Sequence, residues 1–238
     1  MRLTLLYRDD DLVAVDKPPG LLVHRSRIAD ADAFALQALR DQLGRRVHTV
    51  HRLDRPTSGV LVFGLTAEAA RRLSAQFQAQ RVVKRYLAVV RGWPPAEGAI
   101  DRSLDDPEAS AAGQRAPRAA LTRYRRLATV ELPVAVTRYP TSRYALMQVQ
   151  PRSGRRHQIR RHFLHIRHPI IGDTSHGEGR HNRFFRERFG LHRLLLHAWQ
   201  LSFTHPMSGL PLDLEAPLDA QWGRLLAELG WTGALTTP

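Results

Sequence analysis

The chain has 238 residues, enough for one large domain or two small ones, and its 43% hydrophobic and 24% charged residues are an ordinary balance for a globular protein. Thirty-six Lys and Arg face 22 Asp and Glu, a formal charge of +14, and Lys17 and Lys84 are the only lysines. The lack of cysteine excludes disulfides, thiolate catalysis and Cys-based metal sites, and no stretch approaches the roughly 18 apolar residues needed to cross a bilayer.

Arginine offers a planar fork of donors that suits phosphate oxygens, so the charge excess points to a nucleic acid partner before an anionic membrane. A GC-rich genome also favours arginine, which makes the net charge stronger evidence than the type of cation. The opening "MRLTLLYRDDDLVAV" meets three acids at positions 9 to 11 before any long apolar run, unlike a signal peptide. A cytoplasmic protein is the expectation, with no membrane partner.

"LTLLYRD" and "DLVAVDKP" read as short strands parted by an acidic turn, and Pro18-Pro19-Gly20 ends the second. "ADAFALQALRDQLG" has helical periodicity with Gly44 as its stop. "GVLVFGLT" is rich in β-formers, and Thr66 is placed to cap a helix over "AEAARRLSAQFQAQ". "VVKRYLAVVRG" alternates as a strand. Residues 93–118, rich in Pro, Gly, Ala and Asp, read as a surface excursion. "AALTRYRRLATV" and "RYALMQVQP" are the next strands, and "GRRHQIRRHFLHIRH" is expected to be a helix over residues 154–168. "LLLHAWQLSFTHP" and "LPLDLEAP" form a strand and its return across "PMSG", and "DAQWGRLLAELG" closes as a helix. Strands and helices joined by short turns predict an α+β fold on a largely antiparallel sheet.

Two segments carry chemistry. "HRLDRPTSG", residues 51–59, sets Asp54 between Arg52 and Arg55 at a sharp turn. A carboxylate so placed is either a surface ion pair or a nucleophile kept ionised by cations. In the 154–168 segment Ile159, Phe163 and Ile166 make an apolar stripe, with Arg156 and Arg160 four apart beside it. No acid lies between Arg155 and His168, so the compensating anions come from elsewhere in the fold or from a ligand. His162, His165 and His168 recur every three residues, but the arginines around them would repel a divalent ion. No metal is expected there. "RHNRFFRERFGLHR" interleaves cations with aromatics, which suits RNA, or else a solvated helix with Phe184, Phe185 and Phe189 turned inward.

"HRLDRPTSG" followed by "KRYLAVVRG", "GRRHQIRRH", "HPIIGD" and "LLLHAWQLSFTHPMSG" resembles the RluA-type pseudouridine synthases, over about residues 5 to 215. The resemblance implies the pseudouridine synthase catalytic fold: α+β, a mostly antiparallel mixed sheet flanked by helices and loops, with an active-site cleft across the sheet. It implies one catalytic domain over 1–238 with no S4-type RNA-binding domain, no cofactor, no obligate protein partner, and a monomer. Asp54 then corresponds to the catalytic nucleophile, which attacks either C6 of the uracil or C1′ of the sugar. Arg160 corresponds to the arginine that pairs with it, and Tyr86 to the tyrosine that stacks on the target base. Arg52 resembles the arginine that enters the RNA stack as the base leaves, and Leu196 the apolar residue that closes over the uracil. Arg55, Arg155 and Arg156 are the further candidates for RNA contact. Thr57, Ser58 and Gly59 shape the turn, Gly59 by a positive φ or by permitting close approach of RNA, and Lys17 is expected to be structural. Ser153 stands where many members carry Thr.

Residues 137–173 are most similar to members that modify tRNA, at uridine 65. A member acting on ribosomal RNA or another tRNA position is the alternative, ahead of a non-catalytic RNA-binding protein and of a histidine-based metal phosphodiesterase.

Overall fold

A computed structural model describes residues 1–24, 34–105 and 117–235. Among these residues the chain forms ten strands and five helices and falls into two compact units. Residues 1–84 and 197–217 make the first unit, and residues 85–196 and 218–238 the second. The fold is α+β, as the strand and helix order predicts.

In the first unit β1 (Thr4–Arg8) and β2 (Leu12–Lys17) form an antiparallel pair. The acidic turn between them has a structural cause: Asp9 Oδ1 accepts the N–H groups of Asp11 and Leu12 at 2.8 and 2.7 Å. The helix α1 (Ala35–Leu43) ends at Gly44, whose φ of +65° is the left-handed conformation that glycine adopts without strain. The first residues of the expected helix, 31–33, lie outside the described residues. The strand β3 (His48–Thr49) and β2 both pair antiparallel with β4 (Ser58–Gly64), which is buried throughout. Thr66 caps α2 (Ala67–Gln78) by accepting the Ala69 N–H. β9 (Leu196–Thr204) lies parallel to β4 at Ser58 and Gly59, and β10 (Pro211–Glu215) returns antiparallel beside β9. Leu12, Val60, Val62, Leu73, Leu201 and Phe203 lead the core of this unit.

In the second unit β5 (Val83–Arg91), β6 (Glu97–Asp101), β7 (Leu121–Leu132) and β8 (Ser142–Pro151) lie in the order β5-β8-β7-β6, each pair antiparallel. The strand β6 falls within residues 93–118, so that excursion is not all loop; residues 106–116 of it lie outside the described residues. Its sequence, "EGAID", hides the strand because one residue, Ile100, supplies its buried anchor. Gly98 is there because the Tyr124 hydroxyl stands 2.6 Å from where a Cβ would be.

Helix α3 spans Gln158–His165, shorter than the expected 154–168. His157 and Arg167 bound it with φ of +53° and +64°, left-handed conformations that interrupt a helix. Arg156 therefore lies in the exposed lead-in, and Arg160 is buried rather than emerging beside the stripe. The lead-in is tied down by Gln158, whose Oε1 accepts the Ser153 hydroxyl at 2.7 Å and the Arg155 N–H at 3.0 Å. The hydroxyl at Ser153 thus has a defined task. Helix α4 (Gly179–Phe189) packs His181 and Phe185 inward, and α5 (Ala220–Glu228) is capped by Asp219 and buries Trp222. Among the described residues no helix is long and apolar enough to cross a membrane.

Candidate active site

Asp54, Arg52 and Arg55 sit in the first unit on a turn whose construction starts at Asp54 itself, since the Thr57 N–H donates to its carbonyl at 3.0 Å. The turn is held from both sides. On one side Lys17, fully buried, donates from Nζ to the carbonyls of Pro18, Leu21 and Arg55 at 2.8, 2.8 and 3.2 Å. Three carbonyls match the three N–H donors of an ammonium, which is how a buried charge is tolerated. Gly20 N–H donates to the Arg55 carbonyl at 2.9 Å, and Arg55 Nε returns a bond to the Gly20 carbonyl at 3.0 Å. Arg55, a candidate for RNA contact, thereby also fastens the Pro18–Leu21 loop, in line with a structural Lys17.

On the other side Ser58 Oγ lies 2.8 Å from Nδ1 of His197, whose Nε2 is 3.2 Å from the Ala216 carbonyl. A carbonyl only accepts, so Nε2 carries the proton and Nδ1 accepts from the serine hydroxyl. Gly59 follows at φ +111°, and a Cβ there would lie 2.2 Å from the Ala198 carbonyl oxygen. The glycine supplies the expected positive φ, and what comes close to it here is the backbone of strand β9.

His51, three residues before Asp54, accepts the Val62 N–H on Nε2 at 3.0 Å and stacks on Phe77 at 4.5 Å between ring centres. Burial first, and then the positive charge of Lys84, pushes its pKa down to about 3. The ring is therefore a neutral strut between the Asp54 segment, β4 and α2.

Tyr86, Arg160 and Leu196 belong to the second unit. Tyr86 on β5 is opposite Val149 on β8, which is opposite Tyr124 on β7. Tyr86 and Tyr124 pack, partly buried, against the cluster of Val149, Ile159, Phe163, Ile170, Leu194 and Leu196, which Ile159 and Phe163 of α3 join. Leu196 is 3% exposed, a core position in this structure. Arg160 Nε and Nη2 donate to the two carboxylate oxygens of Asp173 at 2.7 and 2.8 Å, with side chains 4% and 1% exposed. Burial works to raise the Asp173 pKa, but the Arg160 hydrogen bonds and charge, with the His176 and Ser175 N–H groups, hold it below the ordinary carboxylate value. Arg155 donates from Nε to the Ala119 carbonyl at 3.3 Å, and Arg156 is exposed.

The three spaced histidines have separate tasks. His162 Nε2 bonds the Arg102 carbonyl at 3.1 Å, His168 Nδ1 bonds the Arg91 carbonyl at 2.8 Å, and His165 lies against the Arg102 side chain. Metal-compatible spacing occurs instead at Asp9, Asp11 and His205. There His205 Nε2 donates to Asp9 at 2.9 Å, while Nδ1 accepts from the Met207 and Ser208 N–H groups. The imidazole has no lone pair left for a cation, and the group serves as a tie between two turns.

Sequence reasoning missed Asp173, although "HPIIGD" was in view, because a partner 13 residues from Arg160 in another segment leaves no periodic trace. It also missed His51 and the Ser58–His197 pair, whose signal was their place inside the motifs.

Residues 11–165 match the RNA pseudouridylate synthase family. The chain is 50% identical over 239 residues to a tRNA pseudouridine synthase C of Pectobacterium carotovorum subsp. carotovorum, covering 98% of this chain and 64% of that protein's length. It is 49% identical to the protein of that name from Salmonella typhi, covering 98% of this chain and 92% of that one. With the protein of that name from Vibrio cholerae the identity is 47%, covering 98% of each. Among solved structures, human RNA Pseudouridylate Synthase Domain Containing 4 superposes with a TM-score of 0.74 at 25% identity, covering 95% of this chain and 93% of that chain.

Proposed function

The chain belongs to the RNA pseudouridylate synthase family, and from that premise we propose that it converts a uridine of tRNA, at position 65, to pseudouridine with Asp54 as the nucleophile. The reaction breaks the bond from N1 to C1′, turns the uracil, and joins C5 to C1′. The proton leaves C5 and N1 gains one, so the product is an isomer and the balance requires no redox partner. The observation that carries the reading is the Asp54 turn, clamped through Arg55 to Lys17 and through Ser58 to His197. Such bracing holds a carboxylate in one attacking position, which is the main task of a site that uses no cofactor.

Arg160 is the counter-ion in this reading. Asp173 engages its Nε and Nη2, which fixes the plane of the guanidinium. A positioned arginine favours the ionised form of the aspartate in a pocket dry enough to hold a base. Tyr86 stacks on the uracil, Leu196 closes over it, and Arg52 takes the place of the base in the RNA stack, offsetting part of the few kcal/mol that extrusion costs. Arg55, Arg155 and Arg156 contact the RNA backbone. The tRNA substrate rests on the names of the relatives and on the likeness of residues 137–173.

Pseudouridine mapping after incubation with a tRNA transcript and, in parallel, with ribosomal RNA fragments tests the proposal. Wild type is expected to mark position 65 of tRNA, and Asp54→Ala to leave it unmarked while still binding RNA. Product only in ribosomal RNA would overturn the substrate, and product from Asp54→Ala would overturn the nucleophile. Arg160→Ala is expected to abolish turnover, and Tyr86→Phe to bind RNA with impaired catalysis.

A further inference from the structure

Helix α4 has two unlike faces. Its inner face is occupied: Tyr144 donates its hydroxyl to Nδ1 of His181 at 2.7 Å, and Phe185 meets the Tyr144 ring edge-on at 4.8 Å. Phe184 stacks on Tyr144 at 6.3 Å, and Phe189 lies 5.0 Å from Phe185. Asn182 accepts the Gly172 N–H at 2.7 Å and donates to the Asp173 carbonyl at 2.9 Å. The aromatics that alternate with arginine in the sequence are thus committed to packing and cannot serve as a platform for bases.

The outer face is different. At 100° per residue Arg180, Arg183 and Arg186 step round one side of the helix within about 120°, and they span about 9 Å along it. All three side chains are exposed, and among the described residues none of these guanidiniums has an ion pair or hydrogen bond. Glu187 shares that face and is likewise unpaired, while Glu178 at the helix start is taken by Arg91 and His181. Glu187 offsets one of the three charges, and the face stays net positive and open to an anion.

We propose that the Arg180–Arg183–Arg186 face of α4 binds backbone phosphates of the RNA substrate, away from the target nucleotide. This rests on the proposed RNA substrate and adds the surface that holds it. The occupant follows from chemistry. Bare arginines suit phosphate, and the +14 charge of the chain suits a polyanion. No large apolar side chain stands exposed on that face, which disfavours insertion into a lipid interface. The inner face of the same helix holds Asp173 and, through it, Arg160, so the RNA is gripped by an element braced against the site.

The test is the affinity of the full-length protein for a tRNA transcript as a function of salt. Arg180→Gln/Arg183→Gln/Arg186→Gln is compared with wild type and with a charge-matched control, Arg40→Gln/Arg71→Gln/Arg224→Gln. The triple variant is expected to bind on the order of tenfold or more weaker at moderate salt. The slope of log affinity against log salt should shrink by roughly 2 to 3, at about 0.7–0.9 for each of the three lost contacts. Because all three side chains are exposed, its thermal midpoint should match wild type. An unchanged slope, or an equal fall in the control, would overturn the proposal. Weakened binding to phosphatidylserine vesicles with tRNA affinity intact would overturn it too, in favour of a lipid partner. Pseudouridine mapping of the wild type on the same RNA separates the two readings: a missing product with the salt effect present removes the activity and leaves the surface.

Discussion

The guanidinium of Arg160 is clasped by Asp173 through two parallel hydrogen bonds of 2.7 and 2.8 Å, both side chains almost wholly buried. Breaking a buried pair by removing one partner strands the other charge, at about 3–5 kcal/mol. Asp173→Asn is expected to lose stability in that range by chemical denaturation. Its single-turnover rate on tRNA should fall further than its affinity for tRNA, since the arginine it orients is proposed to act on the nucleophile. A variant as stable as wild type would show that the pair contributes nothing.

Lys17 offers a second measurable position. Lys17→Leu keeps an apolar stem but removes the lysine donor from the Pro18 and Leu21 carbonyls, while the Arg55 carbonyl keeps the Gly20 N–H. An orphaned buried polar group costs roughly 1–3 kcal/mol. A drop of about 3 kcal/mol or more in urea unfolding is expected, and an undiminished midpoint would refute the clamp.

Stability should fall between about pH 6.5 and pH 3 because of His51. Its pKa in the fold is about 3, against 6.5 for a free histidine. Through that window the unfolded chain binds a proton that the folded one refuses, so lowering the pH favours unfolding, by at most about 1.4 kcal/mol per pH unit. His51→Phe keeps a ring against Phe77, should flatten the profile between pH 6.5 and 5, and should cost about 1 kcal/mol or more at pH 7 through the orphaned Val62 N–H. Urea midpoints at pH 7, 6 and 5 for both proteins check the sign. Asp9, Asp173 and Asp219, whose pKa values are depressed, join the same trend below about pH 4.

Gly59→Ala is expected to be the most damaging single methyl in the motif. The added carbon would stand 2.2 Å from the Ala198 carbonyl at a φ of +111°. Either β4 and β9 separate or the turn before them shifts, and loss of soluble folded protein at 37 °C is the expected readout. Gly44→Ala, with nothing within 4 Å, should cost only the left-handed backbone penalty, about 1 kcal/mol.

Legibility followed physical range. Thr66 and Gly44 were readable because a cap and a left-handed stop act within a few residues. The strands from Thr4 to Lys17 and from Leu196 to Glu215 were readable because period and turn chemistry agree. Strand β6 was not, since one isoleucine carries its burial. Nor was the start of α3, since nothing local requires His157 to be left-handed. The parallel pairing of β4 with β9 and the bond from Arg160 to Asp173 are decided by tertiary packing, and residues 51–59 alone could not announce their braces. The motif located the aspartate; the partners that hold its turn came only from the fold.

The Ser58–His197 bond joins residues 139 positions apart, and that separation sets an order of events during synthesis. The Asp54 turn leaves the ribosome early, yet the strand that locks it arrives only after residues 85–196 of the second unit have been translated. Until His197 docks, the turn has Lys17 and no opposing brace. A nascent chain halted before β9 would carry every motif around Asp54 and still lack the geometry to use it. Such long-range closure slows folding, and it makes the Asp54 turn among the last parts of the protein to be fully braced.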